Sequence, residues 1–311
     1  MQVLSKETHF RFMARRKLAA IVSAVLIIAS IAAIAVRGLN FGIEFTGGVE
    51  LEAGYDRTVD VAAVRQQLAD AGYIDADVLY FGTQQNVMIR IPPQEGSDGT
   101  ELRDELLALL SADGDDVEAR SFSVVFPQIG AEVAEAGSLA MMFVLIMIFI
   151  YIMFRFQWKF SAGAVAALVH DVILTVGFFA VFQFQVDASV IAAVLAVVGY
   201  SLNDTVVVFD RIRENFLSTR GETSAEVIDR SINQMLARTI ITGVTTLLVL
   251  AALLVLGGEA VRSFSVALIV GIVVGTYSSI YVASAVALYF NVTAKDLLPP
   301  EPDPDEIDEM P

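Results

Sequence analysis

Long apolar runs separated by short polar ones dominate the chain. A bilayer span needs about 20 mostly apolar residues, and six segments qualify: 18–36, 138–156, 160–183, 188–209, 239–257 and 264–289. Between the first and second runs the pattern changes. "GGVELEAGY", "ADVLYFGT" and "NVMIRIP" read as strands, the last closed by Pro92 and Pro93. "TVDVAAVRQQLADAGY" reads as a helix, with Thr58 or Asp60 as cap, apolar positions at 61, 64 and 68, and Gly72 at its stop. "DGTELRDELLALLSADG" is a second helix and "DVEARSFSVV" a last strand. The order β-α-β-β-α-β predicts a small ferredoxin-like α/β domain. The tract "FPQIGAEVAEAGSLAMM" then reads, from its Ala and Glu content, either as a helix continuous with the second span, through which that span would swing the outer domain, or as a plain linker.

The chain therefore divides into an N-terminal segment 1–17, a first transmembrane helix 18–36, an outer domain with its connector 37–137, five further spans within 138–290, and a tail 291–311. The first run is longer than the ~7–15 apolar residues of a signal peptide, so it reads as a retained span. Composition agrees: only 18% of residues are charged, against about 25% in soluble domains. The absence of cysteine excludes disulfides and thiolate metal sites.

Charge sets the orientation. Lys6, Arg11, Arg15, Arg16 and Lys17 precede the first span, Arg155 and Lys159 bracket the 2–3 turn, and Arg211, Arg213, Arg220, Arg230 and Arg238 lie between spans four and five. The opposite side offers only Arg262 in its short loops. The positive-inside rule places both termini in the cytoplasm and 37–137 outside, in the periplasm. The net charge of −16 is concentrated in that outer segment and in the acidic tail; such a surface argues against nucleic acid as a partner. The "NVT" at Asn291 falls on the cytoplasmic side and is no glycan acceptor.

Ionisable residues inside spans are costly and face a bundle interior or a water-filled path. Asp171 in "ALVHDVILTV" lies about 16 Å from the inner end of the third span, and Asp204 in "GYSLNDTVVVFD" about 10 Å above the inner boundary, both from ~1.5 Å per residue. Arg238 opens the fifth span at a depth where it could pair with Asp204. Ala196, Gly199 and Asn203 form a small-residue stripe on the fourth span, and Gly271 and Gly275 a small-xxx-small motif on the sixth. Asp204 is either a structural acid held by Arg238 or Asn203, or a carboxylate that exchanges a proton. Burial opposes its charge and an adjacent arginine favours it, so a modest movement would switch it.

These residues carry a resemblance. "FGIEFTGG" after the first span, "VGYSLNDTVVVFDRIREN", "ARTIITGVTTLLVL" and "GTYSSIYVASAVAL" resemble the SecF side of the SecD/SecF family of bacterial protein-export subunits, of the resistance-nodulation-division superfamily. The resemblance implies a six-helix half-bundle in the inner membrane, completed by SecD and working with the SecYEG channel, YajC and a preprotein substrate. It implies proton flow past Asp204 and Arg238, coupled to outer-domain movement. Asn203 and Asp171 are the further proton-pathway candidates on the residues' own chemistry. The motif after the first span comprises Gly42, Glu44, Phe45, Thr46, Gly47 and Gly48; Glu44 stands where the family usually has Asp, which puts a tight turn-capping role in doubt. No cofactor, metal or catalytic residue is expected. Two other readings compete: a half-transporter of the same superfamily for a small molecule or lipid, and an intramembrane aspartyl protease using Asp171 and Asp204. "SLND" lacks the Gly-x-Gly-Asp context of such proteases.

Overall fold

The computed structural model describes residues 8–92, 99–112, 114, 116–155, 157–219, 221–293 and 296. Pro93, Arg220, Lys295 and the tail from 297 onward lie outside the described residues, as do residues 1–7 with Lys6. After a 3-10 turn at Met13–Arg15 the chain forms α1 (Arg16–Arg37), β1 (Asn40–Phe41), α2 (Ile43–Thr46), β2 (Gly48–Tyr55), α3 (Val61–Asp70), β3 (Asp77–Phe81) and β4 (Thr83–Ile91). There follow α4 (Gly99–Leu110), β5 (Val117–Val125), α5 (Pro127–Arg155), α6 (Trp158–Phe182) and β6 (Gln185–Val186). The last elements are α7 (Ala188–Ser218), α8 (Ser224–Leu256), α9 (Arg262–Ser278), a π-turn at Ser279–Ala283, and α10 (Ser284–Tyr289).

Among the described residues, six helical stretches are long and apolar enough to cross a membrane: Met13–Arg37, Ala134–Arg155, Trp158–Phe182, Ala188–Ser218, Ser224–Leu256 and Arg262–Tyr289. The α/β domain lies between the first two. Its sheet has the order β3-β4-β2-β5 with every neighbour antiparallel, which is the ferredoxin-like arrangement. Alternation along β2 explains its burial: Val49, Leu51 and Ala53 face a core shared with Leu68 of α3 and Leu106 of α4, while Glu50 and Glu52 face away. Of the two candidate caps for α3, Asp60 is the one used, accepting from the Ala62 N–H at 2.9 Å.

In the membrane part, α6, α7 and α9 hold most of the buried core, while α5 is largely uncovered. The approach of α1 to α6 is close enough that a Cβ on Gly177 would fall 2.2 Å from the Ser30 side chain. β1 pairs in parallel with β6, Asn40 opposite Gln185 and Phe41 opposite Val186, so the chain leaving α1 is stitched to the α6–α7 connection. α5 runs unbroken from the outer domain through the membrane.

Candidate functional site

Asp187 starts α7, its side chain accepting from the Val190 N–H at 3.0 Å. The helix then crosses the membrane and carries Asp204 to a buried position, 6% exposed. Among the described residues Asp204 Oδ2 has no hydrogen-bond partner, and neither do the buried Tyr200 hydroxyl one turn before it and Thr205 Oγ1 beside it. No ion pair with Arg238 closes, although the guanidinium stands within electrostatic reach. Arg238 on α8 is exposed, and so are Ala196, Gly199 and Asn203 on α7. A Cβ on Gly199 would meet nothing within 4 Å. The small-residue stripe thus faces outward from this chain, and Asp204 sits at its border with polar atoms still to be satisfied. Unpaired polar groups in an apolar setting are expensive, so this seam needs a polar partner or water.

Asp171 is the opposite case. It is fully buried on α6 and both oxygens are engaged: Oδ1 with His170 Nδ1 at 2.9 Å, and Oδ2 as acceptor from Ser201 of α7 at 2.5 Å and Ser278 of α9 at 2.7 Å. His170 Nε2 reaches Ser23 Oγ of α1 at 3.2 Å, Ser23 meets the Tyr277 hydroxyl at 3.0 Å, and Tyr277 donates to the Ala19 carbonyl at 2.9 Å. Which ring nitrogen of His170 donates depends on its tautomer, but both are engaged, Nδ1 with Asp171 and Nε2 with Ser23. One carboxylate thereby ties four spans together. With its oxygens so occupied, Asp171 is poorly placed to share a catalytic water with Asp204 as a protease would require.

The glycines of α9 make this possible. A Cβ on Gly271 would lie 2.1 Å from Val197 Cγ2, and one on Gly275 3.1 Å from Ser201 Cβ and 3.6 Å from Asp171 Oδ2. Both positions let α9 touch α7 and bring Ser278 to the carboxylate. Directly after Ser278 the helix widens into the π-turn, where Ser284 Oγ donates to the Ser279 carbonyl five residues back. Sequence patterning missed Ser23, Ser201, Tyr277 and Ser278; their one signal is hydroxyl residues within apolar runs, in "GYS" and "GTYSS".

On the outer side, Gly42 donates its N–H to the Val186 carbonyl at 2.8 Å, and Ile43–Thr46 forms the single turn α2. Gly47 at φ 73° and Gly48 at φ 128° adopt left-handed backbone, and a Cβ on Gly48 would lie 2.4 Å from the Ile91 carbonyl oxygen; both glycines are obligatory for turning into β2. Glu44 is half-buried in α2; burial, reinforced by Asp187 and Glu50, pushes its carboxyl up against the opposing pull of its own backbone N–H and Arg90. Phe45 packs its ring against Phe41, 5.6 Å between centroids. Arg90 links the domain to the bundle, pairing with Glu50 at 2.8 Å and hydrogen-bonding Gln185 of β6.

These features define a class first: a six-span membrane protein with one α/β domain inserted after the first span and titratable groups inside the bundle. The profile described as Protein export membrane protein SecD/SecF, C-terminal, matches residues 106–293, and the SecD/SecF GG Motif matches residues 32–59. The protein translocase subunit SecF of Vibrio alginolyticus is 44% identical over 313 residues, covering 100% of this chain and 99% of that protein. The SecF of Escherichia coli O157:H7 is 38% identical, covering 89% and 86%. The crystal structure of SecDF from Thermus, described as a translocon-associated membrane protein, superposes with a TM-score of 0.82 at 35% identity over 93% of this chain. SecDF in its super-membrane-facing form gives 0.70 over 92%. This chain spans 39% of the length of either SecDF chain. The chain belongs to the SecD/SecF family of multi-pass inner-membrane proteins.

Proposed function

We propose that the chain is the SecF half of a SecD–SecF pair that uses proton passage to move its outer domain and so promote preprotein export through SecYEG, with YajC as an accessory subunit. The observation that carries this reading is the unsatisfied seam: buried Asp204 with an unpartnered oxygen, beside an outward stripe of Ala196, Gly199 and Asn203 and the exposed Arg238. A second six-helix half laid on that stripe would complete a polar interior. Asp204 would then gain and lose its proton as water reaches it from alternate sides, with Arg238 favouring the charged state when it approaches. Asn203, on the same stripe, would line that path. Asp171, already saturated, serves as the anchor of the bundle beside it. A charge crossing the membrane gains about 2.3 kcal/mol per 100 mV, a driving force of the right kind for such movement. The test is Asp204→Asn in a reconstituted complex with SecD, scored for proton-dependent completion of export. Loss of the proton dependence with the complex intact is expected; full activity would rule out the titrating role. Arg238→Met should fail in the same assay.

A further inference from the structure

A cavity of about 360 Å³ lies between α5, α6 and α7 near their outer ends, under the turn that follows α1. Its walls include Met141 of α5, Val172 and Val176 of α6, and Val190 and Val194 of α7, with Phe45 above; no charged side chain lines it. α5 comes close to α7 at Gly137, where a Cβ would sit 2.7 Å from Ile191 Cδ1. One polar atom stands out among these walls. Thr175 is 0% exposed, and its Oγ1 has no hydrogen-bond partner among the described residues, although a helical threonine normally bonds back to a carbonyl.

We propose that this cavity holds one acyl chain of a phospholipid from the leaflet on the side of the α/β domain. Its depth places it in hydrocarbon, and an apolar cavity of this size offers water too few partners to fill it. Left empty, its walls would forfeit dispersion contacts on one side, which is the gain a chain recovers even though the bilayer itself is apolar. Geometry separates this face from the partner face. At 100° per residue, Val190, Ile191 and Val194 point about 160° away from the exposed stripe of Ala192, Ala196, Gly199 and Asn203, so a second half-bundle seated on the stripe leaves the cavity to lipid. α5 closes the cavity on one side and is itself largely uncovered, so the cavity lies one helix away from the bilayer. A chain lodged there would touch α5 and Phe45 together, and so bear on two of the connections to the outer domain.

The test uses the full chain with its partner in nanodiscs containing phosphatidylglycerol that carries a diazirine in one acyl chain. After photolysis, labelled residues are mapped by peptide mass spectrometry. Labelling at Met141, Val176 and Val194 should saturate and be lost on competition with unlabelled phosphatidylglycerol at a fixed total lipid content. Labelling at Val249 of α8 and Val273 of α9, both exposed, should instead rise in proportion to probe. Filling the cavity with Val194→Phe should abolish the saturable part while the complex stays assembled. The wild-type competition decides the matter even if that variant fails to fold. Proportional labelling at cavity and control positions alike, or saturable labelling that survives filling, would overturn the proposal. So would a cavity labelled only when the probe is a free fatty acid.

Discussion

Two carboxylates occupy the membrane interior in opposite circumstances, and their surroundings assign them different work. Asp171 is hydrogen-bonded to Ser201, Ser278 and His170, whereas Asp204 Oδ2 waits for a partner. Replacing Asp171 with Leu strands the Ser201 hydroxyl and His170 Nδ1, each costing about 1–3 kcal/mol when left unpaired, while Ser278 keeps the Gly275 carbonyl at 3.1 Å. Asp171→Asn keeps one carbonyl acceptor. The expected order of thermal unfolding midpoints for the purified chain is therefore wild type, then Asn, then Leu, with Asp204→Asn close to wild type; equal losses at both sites would contradict the assignment. Glu44 offers a pH test outside the membrane. Its carboxyl is raised in the fold, chiefly by burial, so the neutral form is the better-accommodated one. The stability this contributes is present at low pH and is lost as pH rises through the folded value. Glu44→Gln should therefore stabilise the chain at neutral pH, and the difference should vanish below about pH 4.5, the ordinary glutamate value. A difference that instead grows on acidification would mean that Arg90 and the backbone dominate. Asp204 and Arg238 were legible in the sequence because a charge in an apolar run violates its pattern. The serines around Asp171 were not, because a hydroxyl barely changes hydropathy and only contact between distant helices reveals its use.

Among elements, the pattern of apolar runs located the spans but not the helices that contain them. α8 begins at Ser224, well before the expected span from 239, because its cytoplasmic turns are polar and leave no hydropathy signal. Their own signal is a capping box: Thr223 caps the Glu226 N–H, and the Glu226 carboxylate accepts from the Thr223 N–H at 2.9 Å. The N-terminal segment docks on this overhang, Met13 donating its N–H to Asp229 at 2.8 Å and Phe10 its N–H to Asn233 at 2.9 Å. The small-xxx-small motif of α9 was visible by spacing, but the surface it meets was not. Its two glycines should differ in tolerance. A methyl at Gly271 would lie 2.9 Å or less from three atoms of Val197, while one at Gly275 finds its nearest neighbour at 3.1 Å. Gly271→Ala should cost about 1–3 kcal/mol by overpacking, more than Gly275→Ala. Val197→Ala should recover part of the Gly271→Ala loss in a double-mutant cycle of unfolding free energies. Additive effects would show that the two helices do not meet there.

At the scale of the whole molecule, the question is how an event in the bundle reaches the α/β domain. Among the described residues three attachments stand out: the turn from Gly42 to Gly48 with its β1–β6 pairing, the continuous helix α5, and Arg90. The sequence disclosed the first as a motif and the second as one of two readings of its tract. Arg90 read only as a charge in a strand, since its partner Gln185 lies on a connection nearly a hundred positions later. Yet Arg90 spans the junction, held by Glu50 at 2.8 Å and reaching Gln185, with its own side chain 19% exposed. Hydrogen bonds to a charged group at this degree of burial are worth about 1.5–3 kcal/mol, enough to fix a small domain against a bundle. Because the chain has no cysteine, spin labels can be placed cleanly at Gln85→Cys in the domain and Leu256→Cys at the outer end of α8. Arg90→Ala should broaden the distance distribution between them. Arg65→Ala, whose partner Asp77 lies within the domain at 3.9 Å, should leave it unchanged. If both variants keep the wild-type width, Arg90 does not steer the domain. The next cut would then fall on α5, where a Gly-Gly insertion before Ala134 would interrupt the rigid path.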